Sequence, residues 1–255
     1  MYQELRGKTA IVTGGAGGIG RHLCQALALQ GVRIVIADII DASAALQLVQ
    51  EAGGEAIAVE CDLADKQSIT AMVARGEEAY GTCDILVHCA AYQPHTPFAE
   101  VAWESWHKTQ TVNIDALFHL AKALLPGMKA KGWGRIVNFT TTTFYDATPH
   151  HSEYVTSKAA IIGLSRILAK EYGPYGITVN CLAPGLVRTV NSEDAVRTLL
   201  AAGLPDFYEV IKAQQCVPRT LVPEDMVGPM LFLVSNASRA VTGQSLLVDG
   251  GWKHV

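Results

Sequence analysis

Tyr154 and Lys158 stand four residues apart at the start of a helix-period stretch, residues 152–171. Positions i and i+4 share one helix face, so the phenol and the ammonium can converge. A phenol loses its proton near pH 10, and acting near neutrality means closing a gap of about 4 kcal/mol, roughly three pKa units. A neighbouring cation favours the phenolate. The pair can therefore give or take a proton at an alcohol or carbonyl oxygen. Such pairs also arise by chance on helices, so the reading needs partners elsewhere in the chain.

One partner is the run Thr13-Gly14-Gly15-Ala16-Gly17-Gly18-Ile19-Gly20, which follows an apolar strand and precedes a helix. Glycines there let the backbone approach a pyrophosphate, while the helix N-terminus presents N–H donors and positive dipole charge. Asp38 closes the next strand, 18 residues after Gly20. A carboxylate at that point accepts hydrogen bonds from both hydroxyls of an adenosine ribose and repels a 2′-phosphate. Positions 39 and 40 are both Ile and offer no cation to a phosphate. The expected cofactor is NAD rather than NADP. Asp62-Leu63, after the third strand, places a carboxylate either near the adenine or at a helix cap.

His88 ends an apolar strand and reads as a hydrogen-bonded structural histidine. His150 and His151, in the loop before Tyr154, are candidates for the substrate pocket or simply solvated. The six cysteines, at 24, 61, 83, 89, 181 and 216, show no metal-ligand spacing and read as buried free thiols; no metal is expected. With a net charge of −4 and no basic run, nucleic acid is an unexpected partner. The N-terminus lacks signal-peptide character, and residues 116–128 are broken by His119, Lys122 and Pro126, too polar for a membrane span. A cytoplasmic location is the expectation.

Seven short apolar runs position these groups: residues 9–13, 33–38, 56–60, 85–88, 135–138, 178–181 and 245–248. Near-continuous hydrophobicity marks parallel strands covered on both faces. Helix-period segments alternate with them; in residues 19–30, Ile19, Leu23 and Leu27 fall on one face. The expectation is a single α/β domain over residues 1–255, a doubly wound seven-stranded parallel sheet flanked by helices, the Rossmann fold. Residues 190–215 interrupt the rhythm and read as a substrate lid or an oligomer contact.

The set TGGAGGIG, Asn113, Tyr154-x-x-x-Lys158, Pro184-Gly185-Leu186-Val187-Arg188-Thr189 and the closing TGQSLLVDGG resembles the short-chain dehydrogenase/reductase family. The stretches GWGRIVNFTTTTF and GLVRT are similar to its branch with 1-phenylethanol and pyridoxal 4-dehydrogenases. The resemblance implies a catalytic tetrad of Asn113, Thr141, Tyr154 and Lys158, with Tyr154 as general acid/base. Asn113 would hold a water that relays protons from Lys158, and Lys158 would also hold the nicotinamide ribose. It further implies cofactor contacts from Gly14, Gly17, Gly18, Ile19, Gly20, Asp38, Asp62, Leu63, Ala90 and Ala91. Pro184, Gly185, Val187 and Thr189 complete that set beyond the sixth strand. Two departures stand out. Thr141 occupies a serine position, 13 residues before the tyrosine, and His88-Cys89-Ala90-Ala91 stands where the family has Asn-Asn-Ala-Gly.

By the same resemblance, Tyr92, Thr143, Phe144, Tyr145, His151 and Phe207 line a mostly apolar substrate pocket. The implied activity is hydride transfer between NAD and a secondary or aromatic alcohol and its ketone or aldehyde. Reduction of 3-oxoacyl thioesters and a non-catalytic NAD-binding sensor are the alternatives. Helices at 116–131 and 152–171 resemble the family's pairing helices and imply a homotetramer.

Overall fold

The computed structural model describes residues 2–201 and 203–254. Strands β1 (Thr9–Thr13), β2 (Arg33–Asp38), β3 (Ala56–Glu60), β4 (Ile85–His88), β5 (Gly134–Phe139), β6 (Ile177–Pro184) and β7 (Ser245–Val248) form one sheet. Every pairing is parallel, in the order β3-β2-β1-β4-β5-β6-β7. Ten helices accompany them among the described residues: α1 (Gly20–Ala28), α2 (Ser43–Glu51), α3 (Lys66–Tyr80), α4 (Trp103–Gln110), α5 (Ala116–Lys131), α6 (Thr143–Asp146), α7 (Ser152–Tyr172), α8 (Val190–Ala201), α9 (Phe207–Lys212) and α10 (Val227–Val234).

The two-residue period of the strands splits the core. Ala10, Val12, Ile34 and Ile36 face α1, α2 and α10, while Ile11, Val35 and Leu86 face α3, α5 and α7. On α5, Leu117, Leu120 and Leu124 fall on one side and are buried; each contributes about 2 kcal/mol by leaving water. Five strands match their expected bounds. β5 and β6 run longer because they pair with each other from Gly134–Ile177 to Phe139–Leu182, and β6 continues along β7 to Pro184. Those long-range ladders also recruit Gly134, Ala183 and Pro184, residue types depleted in strands.

β1 lies between β2 and β4, so successive crossovers leave it in opposite directions and open a crevice at the carboxyl ends of the strands. Residues 190–215 contribute α8 and α9 beyond that edge. α4 meets α5 through a π turn, Thr111–Asp115, that buries Asn113. Not all the thiols are buried, contrary to expectation. Cys89 is half-buried at the crevice and Cys216 is exposed in the bend after α9, although all six are free.

Candidate active site

The glycine run forms a cradle that side chains would fill. Gly14 has φ +68°, and a Cβ there would come within 2.7 Å of Ala90 Cα. A Cβ on Gly20 would fall 2.0 Å from the Gly14 carbonyl, and one on Gly18 would meet Thr189 at 2.8 Å. Gly17 N–H closes the turn onto the Gly14 carbonyl at 3.1 Å, and Ile19 caps α1. Bare backbone at the start of α1, walled by Ala90 and Thr189, suits a dinucleotide pyrophosphate.

Asp38 sits beside the cradle. Its Oδ2 accepts from Ala16 N–H at 2.9 Å and its Oδ1 from Ile39 N–H at 2.8 Å and Ile40 N–H at 3.3 Å, leaving a lone pair on Oδ2 for a ribose hydroxyl. Among the described residues it has no ion-pair partner. Asp62 is exposed, and its Oδ1 accepts from Ala64 N–H at 2.8 Å, a local turn; α3 is capped instead by Asp65. Leu63 is buried behind it and Ala91 is exposed at the lip. Across the crevice, Gly185 N–H donates to the Val248 carbonyl, and Val187 is buried in a bridge to Leu221.

α7 carries Tyr154 and Lys158 inward, both buried. Burial pushes the Tyr154 phenol far up, and the Thr141 hydroxyl pulls it part of the way back. Lys158 Nζ donates to the Phe139 carbonyl at 2.7 Å. Burial lowers its pKa to about 8, opposed by the Cys89 and Cys181 thiols. It lies 5.6 Å from the Tyr154 ring centre. The phenol is thus no base on its own and needs positive charge beside it.

The four threonines sort themselves by partner. Thr140 and Thr142 hydroxyls donate to the Leu182 and Pro184 carbonyls of β6. Thr141 Oγ1 accepts from Thr143 N–H at 3.1 Å and shares a proton with Thr143 Oγ1 at 2.7 Å. Thr141→Val keeps the shape and loses the hydroxyl. Its kcat should fall roughly 10²- to 10³-fold, as for loss of one donor at the reacting oxygen, while Thr141→Ser stays within a few-fold. Initial rates at saturating substrate check this; an active Val variant would remove Thr141 from the site.

The Asn113 side chain is engaged by protein groups. Its Oδ1 accepts from Tyr92 N–H (2.8 Å), and its Nδ2 donates to the Tyr92 carbonyl (2.9 Å) and Ser157 Oγ (2.8 Å). Both amide protons are used, so the side chain holds the loop after β4 against α7. Ser157, absent from the sequence reading, passes its own proton to the Tyr154 carbonyl at 2.7 Å.

Of the residues expected to line the substrate pocket, Tyr92 lies beneath Lys108, and Phe144 and Tyr145 pair with ring centres 4.9 Å apart. Three imidazoles cluster before Tyr154. His95 lies 5.2 Å from His150 and 4.8 Å from His151, which is 6.3 Å from Tyr154. Thr96 N–H ties the two loops by donating to the His150 carbonyl at 2.9 Å. Ala147 and His150 have positive φ among the described residues, as no other non-glycine does. His95 gave no signal in sequence because its partners lie over 50 residues away. The tail joins two other segments: Lys253 pairs with Asp146 of α6, and Trp252 Nε1 donates to Gln214 after α9.

Phe207 is half-buried at the start of α9, but the neighbouring Tyr208 anchors the excursion. Tyr208 OH lies 2.7 Å from Ser192 Oγ. That same oxygen is within hydrogen-bond reach of Thr189 N, Thr189 Oγ1, the Val187 carbonyl and the Thr189 carbonyl. α8 and α9 therefore hang from the loop whose Thr189 faces Gly18.

A family model described as enoyl-(acyl carrier protein) reductase matches residues 14–253. A provisionally named galactose dehydrogenase of Rhizobium meliloti is 34% identical over 98% of this chain and 97% of its own. A 2,5-dichloro-2,5-cyclohexadiene-1,4-diol dehydrogenase of Sphingobium indicum is 36% identical over 98% of both chains. Among solved structures, a provisionally named NAD(P)-dependent gluconate 5-dehydrogenase from Beutenbergia cavernae, with NADP bound at low occupancy, superposes with a TM-score of 0.88. It is 36% identical and covers 97% of each chain.

Proposed function

Because the chain belongs to the short-chain dehydrogenase/reductase family, and is thus an oxidoreductase of CH–OH groups, we propose that it oxidises a secondary alcohol to the carbonyl with NAD. The observation that carries this is the buried Tyr154–Lys158 couple, with the Thr141 hydroxyl as the phenol's polar neighbour. A nicotinamide bound in the crevice supplies the hydride-accepting carbon and a positive charge. Thr141 orients the substrate oxygen. Tyr154, ionised to the phenolate beside the Lys158 ammonium, whose pKa near 8 keeps it charged at neutral pH, takes its proton. Asp38, with a spare lone pair and no cation beside it, supports NAD over NADP.

The expected aromatic lining supports a ring-bearing alcohol. The imidazole cluster supports a second reading, a hydroxyl-rich ring or sugar acid, in keeping with the galactose and gluconate names above. Burial and the two neighbouring imidazoles hold His95 below its ordinary pKa, so near neutrality it offers a neutral donor and acceptor for hydroxyls. We take residues 190–215 as the lid over either substrate.

The test is reduced-nicotinamide formation with NAD or NADP across 1-phenylethanol, cyclic diols, D-galactose, D-gluconate and a 3-hydroxyacyl thioester. Turnover with NAD on the first four supports the proposal and ranks the two readings. Turnover confined to the thioester with NADP overturns it.

A further inference from the structure

His88 is a fully buried imidazole where the family pattern has asparagine. It ends β4 in register with Thr13 of β1. Its Nδ1 lies 2.8 Å from Thr13 Oγ1 and its Nε2 lies 3.3 Å from the Asn113 main-chain carbonyl. A carbonyl has no proton to give, so Nε2 carries the hydrogen and donates. Nδ1 is then bare and accepts from the Thr13 hydroxyl. Burial, aided by the Lys158 charge, lowers the His88 pKa to about 4, so the ring stays neutral and keeps this one tautomer. The charged or titratable groups set around it are Lys158 of α7 and Cys89, which itself follows β4.

The Asn113 amide is committed to Tyr92 and Ser157, with both of its protons spent. Its main-chain carbonyl is therefore the atom of that residue best placed to take part in proton traffic, and it belongs to a π turn, where the regular i→i−4 ladder is disturbed. The histidine reaches that atom through a ring that is held, because its other nitrogen is tied to Thr13 of the neighbouring β1.

We propose that His88 is a positioning residue: through its Nε2–H it fixes the Asn113 carbonyl and thereby the proton relay that serves Lys158 and Tyr154. The proposal rests on the acid/base reading above and on the relay through Asn113 that the family resemblance implies. It assigns a task to this chain's departure from the asparagine pattern, and no new chemical step.

His88→Gln keeps a donor at the distance of Nε2, whereas His88→Leu keeps only the bulk. In His88→Leu, kcat should fall roughly tenfold to a hundredfold, the range for a displaced relay group. The KM for NAD should stay within about threefold, and the solvent deuterium isotope effect on kcat should grow as proton transfer becomes limiting. His88→Gln should restore kcat and return the isotope effect to the wild-type value. A fall in kcat shared by both variants with an unchanged isotope effect, or no fall in either, overturns the proposal.

Nitrogen-15 NMR of the imidazole in the substrate-free wild type is the second arm and needs no turnover. A ring protonated at Nε2 that does not titrate between pH 8 and pH 5 is the expected result. Protonation at Nδ1, or titration near pH 6.5, overturns the proposal whatever the substrate panel shows. Absence of wild-type turnover with the expected NMR spectrum counts instead against the acid/base reading.

Discussion

Tyr154→Phe should lose turnover by about 10³-fold or more while its affinity for NAD stays within a few-fold of wild type. General acid/base assistance contributes roughly 10²- to 10⁴-fold, and phenylalanine has no proton to exchange. Tyr154 is 7% exposed, and phenylalanine fills the same volume, so the core should not collapse around the change. Nor is a buried polar group stranded. Thr141 keeps its partnership with Thr143, and Lys158 keeps the Phe139 carbonyl. The loss should therefore appear in kcat, with an unchanged melting temperature and an unchanged coenzyme titration. Reduced-nicotinamide formation beside a fluorescence titration with NAD separates the two. Activity above a tenth of wild type would remove Tyr154 from the acid/base role, and loss of NAD binding would make its role structural.

The paired change Asp38→Asn with Ile39→Arg should reverse coenzyme preference. Asparagine preserves an acceptor for Ala16 N–H and removes the charge. Two unit charges about 4 Å apart at an effective dielectric of about 20 interact by about 4 kcal/mol. Asp38 is half-exposed and screened by salt, so about half of that, roughly 2 kcal/mol, is a fair expectation. Relief of repulsion is worth roughly thirtyfold, and attraction from the new guanidinium a similar factor, so kcat/KM for NADP over NAD should shift about 10³-fold. Ile39 is 63% exposed, which leaves room for the longer side chain without repacking. Kinetics with both coenzymes decide it. A variant that still favours NAD tenfold, or a wild type that already favours NADP, would mean that another group selects the coenzyme.

Features that depend on neighbours in sequence were legible before any coordinates. The glycine cradle, Asp38 at a strand end and the Tyr154–Lys158 face follow from spacing and chirality alone. So did His88 as a hydrogen-bonded buried histidine, although its two partners, Thr13 and the Asn113 carbonyl, come from distant segments. The sequence allows Asp62 either the adenine or a cap, and in the structure it makes a local turn because an aspartate two residues before a free N–H closes on it readily. What escaped was long-range. Ser157 matters only because a π turn delivers Asn113 to it, and His95 only because a loop 50 residues further on bends back. Gly134, Ala183 and Pro184, at the extended ends of β5 and β6, are strand because their partners are, against their own propensity.

Ser192 Oγ has five polar neighbours, from Thr189, Val187 and Tyr208, yet a hydroxyl can offer one proton and two lone pairs. Not all of these bonds can be made at once. The proton has several nearly equivalent places to go, and so the joint carrying α8 and α9 is degenerate. Degeneracy of this kind carries residual entropy and spares the joint the penalty of an orphaned polar group when one partner is exchanged for another. The attachment of the excursion to the loop after β6 thus has more than one bonding pattern open to it at a single atom.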